Sequence, residues 1–183
     1  MNPLNTALIF AAAFLAVFGE ATLPGLRQLL GAQVDLLPAI MVYAALNASV
    51  TVVALLAVAG GLWFDALSAN PLGISILPLF IVGWGIRSQR EFILRELSFA
   101  QIVLGTIASA SVPGLTVLLL LTGGKDPLLG WGSLWQWLVM TAGGALATPV
   151  IFALFDRCHR TFGYPARTES SFRPDREILR GRN

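Results

Sequence analysis

Charge is scarce in this chain. Only 12% of its 183 residues are Asp, Glu, Lys or Arg, 56% are hydrophobic, and the mean hydropathy is +0.74. A soluble domain carries roughly 25% charged residues, so an ordinary water-solvated surface is excluded. Cysteine and histidine are scarcer still, at one each. Cys158 alone excludes an intramolecular disulfide and leaves the redox compartment unreadable. His159 stands beside it with no further Cys or His to complete a metal site. Neighbouring residues on a helix do not face each other, so the two form no nucleophile–base pair either. Gly123-Gly124-Lys125-Asp126 lacks the other glycine and the Ser/Thr of a phosphate-binding loop. No catalytic centre and no cofactor motif is legible. Lysine and arginine are missing from Met1–Thr6, and the apolar run Ala7–Phe18 reaches Glu20 without a small-residue cleavage site. A cleaved signal normally has a basic start, so this segment reads as a first permanent helix.

What is there is apolar, in long pieces. Uncharged stretches cover Met1–Gly19, Leu36–Phe64, Ala66–Ile86, Leu97–Gly124 and Pro127–Phe155. A helix needs about 20 apolar residues to cross about 30 Å of hydrocarbon. The second stretch contains the polar, weakly helix-forming break Asn47-Ala48-Ser49 and divides in two. The expected architecture is therefore an all-α polytopic membrane protein with six helices near 6–23, 33–46, 49–65, 72–86, 98–121 and 135–155. The 33–46 helix is the shortest for a full crossing, and whether it crosses fully stays open. Residues 1–155 form the membrane domain and 156–183 a basic tail whose Pro, Ser and Arg content reads as disordered.

The net charge of +2 does not mark a nucleic-acid-binding face, because seven of the twelve basic residues follow Phe155. It marks orientation. With the N-terminus inside, the cytoplasmic segments hold Arg87, Arg90, Arg95 and the seven tail arginines, and the outer loops hold only Arg27 and Lys125. Basic residues gather on the cytoplasmic side, so both termini are expected there. A five-helix chain keeps those basic segments inside but sends the N-terminus out. Trp131, Trp135 and Trp137 fit the outer headgroup level, whereas Trp63 and Trp84 read equally well as interfacial or as core. Small residues four apart (Ala7/Ala11, Ala44/Ala48, Gly105/Ser109, Gly143/Ala147) offer close helix packing. Pro113 and Pro149 are expected to kink the last two helices.

Three acids lie at or near membrane depth, Glu20, Asp35 and Asp65, all toward the outer helix ends. Such residues mark functional or assembly sites by default; the bland alternative is that they reach headgroups and water. Arg27 is the nearest outer cation, a candidate partner for Asp35 or Asp65. Arg87, Arg90 and Arg95 interleave with Glu91 and Glu96 in a short inner loop that reads as a topology and anionic-lipid signal, or as a partner site. Gly61 and Asp65 share a helix face, and Asp65, Ser68 and Asn70 cap a tight turn ahead of Pro71 and Gly73.

Those residues carry a resemblance. Gly61, Asp65, Ser68, Leu72 and Gly73 resemble the G-x-x-x-D-x-x-S-x-x-x-L-G signature of the rod-shape-determining membrane protein family MreD. Val34-Asp35-Leu36-Leu37 resembles that family's second-helix opening, with Val34 in place of proline. Ala147-Thr148-Pro149, Phe155-Asp156-Arg157 and Arg160–Gly163 resemble its last helix and basic exit, so the likeness covers about residues 5–163. It implies a six-helix fold similar to the substrate-binding S-components of vitamin transporters. It also implies a non-catalytic role in the bacterial cytoplasmic membrane. There the protein would bind a bitopic MreC-like partner and help organise RodA, its penicillin-binding transpeptidase and actin-like MreB in peptidoglycan elongation. The rival expectation is a small-molecule carrier, with Glu20, Asp35, Asp65, Ser68 and Asn70 lining an outer pocket.

Overall fold

A computed structural model describes residues 3–22, 31–68, 70–90, 98–124 and 130–162. Every regular element among them is a helix: α1 Pro3–Thr22, α2 Leu37–Asn47, α3 Val50–Leu67, α4 Ile76–Ser88, α5 Ser98–Thr122 and α6 Trp131–Phe162. Four of them, α1, α3, α5 and α6, are long and apolar enough to cross a membrane, while α2 and α4 are shorter.

The shortest helix is the centre. Leu37 through Leu46 are all buried, and α2 touches each of the other five helices. A helix apolar on every face belongs inside a bundle, and Leu-Pro-Ala-Ile-Met-Val-Tyr-Ala-Ala-Leu is apolar on every face. At 1.5 Å per residue its 11 residues span about 16 Å, roughly half the hydrocarbon thickness. The expected start near 33 is not helical. Pro38 sits in the first turn, where a missing N–H is harmless, and residues 33–36 approach as irregular chain.

The outside is as apolar as the inside. Phe14, Leu15, Phe18, Leu55, Trp84, Phe99, Leu118, Leu146 and Leu154 are exposed around the bundle. A water-soluble monomer rarely carries so continuous an apolar surface, so the molecule fits a helical membrane protein. Apart from the Trp137 indole N–H, which donates to the Ala110 carbonyl of α5 at 2.9 Å, the polar contacts between elements described here gather at its two ends. At one end Glu20, Asp35, Asp65 and Gln136 bind backbone groups. At the other, Arg87 donates to the Ala48 carbonyl and His159 Nε2 meets Asn5 Oδ1 at 2.9 Å.

Helix boundaries differ from expectation where local chemistry intervenes. The fourth helix begins at Ile76 and not at 72, because Gly73 has a left-handed φ of +89° and ends a turn closed by Ile74 N–H on the Pro71 carbonyl. The sixth covers Trp131–Phe162, past the expected 135–155 at both ends. Residues 156–162 thus belong to the helix, and Arg160 near its described end suits the negative end of the helix dipole. The remainder of the tail, 163–183, lies outside the described residues. Both α5 and α6 continue through Pro113 and Pro149.

Close helix packing uses only some of the expected small pairs. Ala7 and Ala11 face outward; α1 packs through Ile9, Ala13 and Val17 instead. Gly105 and Ser109 do meet α6, but opposite Gly144 and Thr148. A methyl on Gly105 would stand 2.8 Å from the Gly144 carbonyl oxygen, so the two backbones lie nearly in contact. Gly143, of the expected Gly143/Ala147 pair, faces Val34.

Candidate functional site

The Asp65 hairpin is built from its own residues. Asp65 ends the buried face of α3 and is 2% exposed. One carboxylate oxygen, Oδ2, accepts the backbone N–H of Gly73 at 2.8 Å and of Ser75 at 3.1 Å; Oδ1 accepts the Ser75 hydroxyl at 2.6 Å. Hydrogen bonds to a carboxylate are roughly twice as strong as neutral ones, and here three of them hold the start of α4 against the end of α3. Gly61, one turn earlier, lets α4 come close: a methyl there would lie 3.0 Å from Ile76 Cα and from Ile76 N. Gly73 supplies the left-handed bend that few other residues adopt. Ser68 caps α3, its hydroxyl accepting from Asn70 N–H at 3.4 Å. Leu72 projects outward, 72% exposed. Four signature positions thus shape the hairpin, and the fifth presents an apolar side chain at its tip.

Glu20 and Asp35 serve the irregular approach to α2. Glu20 Oε1 accepts Leu36 N–H at 2.7 Å, and Asp35 Oδ1 accepts Leu37 N–H at 2.9 Å. Gln136 of α6 completes the set, accepting Gln33 N–H at 3.0 Å and donating Nε2–H to the Gln33 carbonyl at 2.9 Å. Non-helical backbone is tolerated at membrane depth only where protein or water satisfies it. These side chains engage the N–H groups of Gln33, Leu36 and Leu37 and the carbonyl of Gln33. The second oxygen of Glu20 is buried and has no hydrogen-bond partner among the described residues. Arg27, the expected cation for this end, lies outside the described residues, and Asp65 is already engaged by Gly73 and Ser75.

Gln136 and Ser75 were not singled out from sequence. Gln136 does carry a signal, as the amide in Trp135-Gln136-Trp137 within an otherwise apolar helix. Ser75 has none beyond lying ten residues after Asp65.

At the opposite end, Asn47 terminates α2, Ala48 is extended, and Ser49 caps α3 by accepting Val52 N–H at 3.4 Å. The expected break is therefore a two-residue connection, with Arg87 bound to its middle carbonyl. Arg90 is half-buried nearby, and Arg95, Glu91 and Glu96 lie outside the described residues. Pro149 sits half-buried in α6 next to Thr148, whose hydroxyl donates to the Gly144 carbonyl at 2.7 Å. The aromatic expectations divide: Trp131 is 87% exposed at the start of α6. Trp63 packs edge-on against Phe14 at 5.4 Å, and Trp84 is exposed.

Among the described residues no group of three or more His, Cys, Asp or Glu could hold a metal ion. An apolar groove of about 770 Å³ runs along Pro113, Gly114 and Val117 of α5 and Trp137 and Met140 of α6. None of Glu20, Asp35, Asp65, Ser68 and Asn70 lines it. No family model, no curated protein and no solved structure matches this chain.

Proposed function

We propose that the chain is a non-catalytic, multi-pass component of the bacterial cytoplasmic membrane, of the MreD kind. In this reading it binds a bitopic MreC-like protein and helps organise RodA, its penicillin-binding transpeptidase and MreB during peptidoglycan elongation. The observation that carries the reading is the use made of Gly61, Asp65, Ser68 and Gly73. Each has a structural task that its residue type alone performs well, within one short hairpin. A signature of this sort reads as the mark of a fold, and the fold is what a scaffold offers.

All six helices belong to the membrane body in this reading, with both termini cytoplasmic. Charge sorting supports it: Arg87, Arg90, Arg157 and Arg160 lie at one end of the bundle and Glu20, Asp35 and Asp65 at the other. The positive-inside rule then puts the arginine end in the cytoplasm.

The carrier reading loses support from the same geometry. Its three acids hold backbone N–H groups, and none of them lines the 770 Å³ groove between α5 and α6. Affinity capture of the tagged protein from its own membranes tests the two. A scaffold brings down a bitopic MreC-like protein, and its depletion rounds the cells. Stabilisation by a vitamin without either effect would favour the carrier.

A further inference from the structure

Two helices are too short to cross a bilayer, and only one of them reaches the outer surface. α2 is buried along its length among the other five helices. α4 is not: Leu77, Ile81 and Trp84 form an outward stripe, each about half exposed. Its 13 residues span about 20 Å, against roughly 30 Å of hydrocarbon. Counting Leu72, exposed beyond the turn, extends the run to Leu72–Ile86, still only about 25 Å. The neighbouring α5 has 25 residues, about 37 Å. A groove between the two is lined near the middle of each, by positions 81–86 of α4 and 104–115 of α5. α5 therefore passes α4 at both ends. Phe99 is exposed beyond one end, and Leu118 and Leu121 beyond the other.

A span shorter than the hydrocarbon is accommodated by thinning the bilayer or by snorkelling of its flanking residues, and tilting only shortens its reach. The flanks of α4 give little to snorkel with: Ser88 and Gln89 are exposed at one end, and Asn70 and Pro71 precede the turn at the other. Sliding is blocked as well. Ser75 holds Asp65 of α3 through its N–H and hydroxyl, and Arg87 donates to the Ala48 carbonyl just before α3. We propose that the α4 face holds the adjoining bilayer thin, so that its partner is a lipid film of reduced height. The opposite wall differs, because exposed apolar side chains on α6 run from Trp131 to Leu154, about 35 Å. The proposal goes beyond the scaffold role and rests only on the reading that all six helices belong to the membrane body.

The test uses the full chain with Cys158→Ser and one new cysteine, labelled with bimane. The protein is reconstituted in phosphatidylcholine vesicles of fourteen- or eighteen-carbon monounsaturated chains, with iodide on both sides as the aqueous quencher. Leu146→Cys, exposed midway along α6, reports insertion. Its label should be shielded in both lipids, and free quenching there would defeat the membrane-body reading itself. Asn70→Cys and Ser88→Cys mark the two ends of the α4 face. Quenching at both is expected to change less than about twofold between the two lipids, because a thinned film follows the helix. Reading both ends together excludes a shift of the whole body toward one side. A larger loss of quenching at either end in the eighteen-carbon lipid, with Leu146→Cys still shielded, would show that end sinking into a bilayer of full thickness. That result would overturn the proposal.

Discussion

Ser75 binds Asp65 twice, through its hydroxyl on Oδ1 at 2.6 Å and through its backbone N–H on Oδ2 at 3.1 Å. Together with Gly73 N–H on Oδ2, this joins the end of α3 to the start of α4 inside a region almost closed to solvent. The acid is thus a fixture of the turn. Both of its carboxyl oxygens are held by donors of the turn itself.

Asp65→Ala leaves three donors without their acceptor. Each buried orphan costs about 1–3 kcal/mol, so the loss should reach about 3 kcal/mol or more, read as unfolding in mixed micelles of increasing denaturing strength. Asp65→Asn keeps one acceptor oxygen and should lose distinctly less. Equal losses would mean that the carboxylate oxygens do not carry the turn.

Gly61→Ala drives a methyl against the Ile76 backbone at 3.0 Å. Overpacking of this kind costs about 1–3 kcal/mol. Gly85→Ala, in α4 with nothing within 4 Å of the added methyl, is the matched control and should be neutral or slightly stabilising. Thermal unfolding of both variants checks the contrast. Indistinguishable midpoints would refute the close approach.

Gln136→Leu should destabilise by about 1–3 kcal/mol, because both backbone groups of Gln33 lose their partner. Hydrogen exchange at the Gln33 amide should rise in parallel. Unchanged exchange at Gln33 would show that its backbone finds a partner elsewhere.

The sequence carried local features well and distant ones poorly. The break at Asn47–Ser49 and the Gly61–Asp65–Gly73 hairpin were legible because turn chemistry is written in neighbouring residues. The four long apolar helices were legible because length and hydropathy suffice. The centrality of α2 was not read from its length, which suggested a marginal crossing; its all-round apolar surface was the better guide. The pairing of Gln136 with Gln33 spans 103 residues, and no local pattern encodes it. The tasks of Glu20 and Asp35 were hidden for the same reason: each depends on where α2 abandons helical geometry. Which glycine of the Gly143–Gly144 pair meets α5 is set by the rotation of α6, which packing determines.

In the proposed topology a bilayer-crossing body holds its arginine end and its Asp65 end on opposite sides. Replacing the natural Cys158 with serine and placing single cysteines at Asn70, Ser88 and Arg160 tests it directly with a membrane-impermeant maleimide on intact cells whose outer barrier is opened. Asn70→Cys should label at once, whereas Ser88→Cys and Arg160→Cys should label only after the inner membrane is permeabilised. Labelling of Asn70→Cys and Ser88→Cys from the same side would contradict the account.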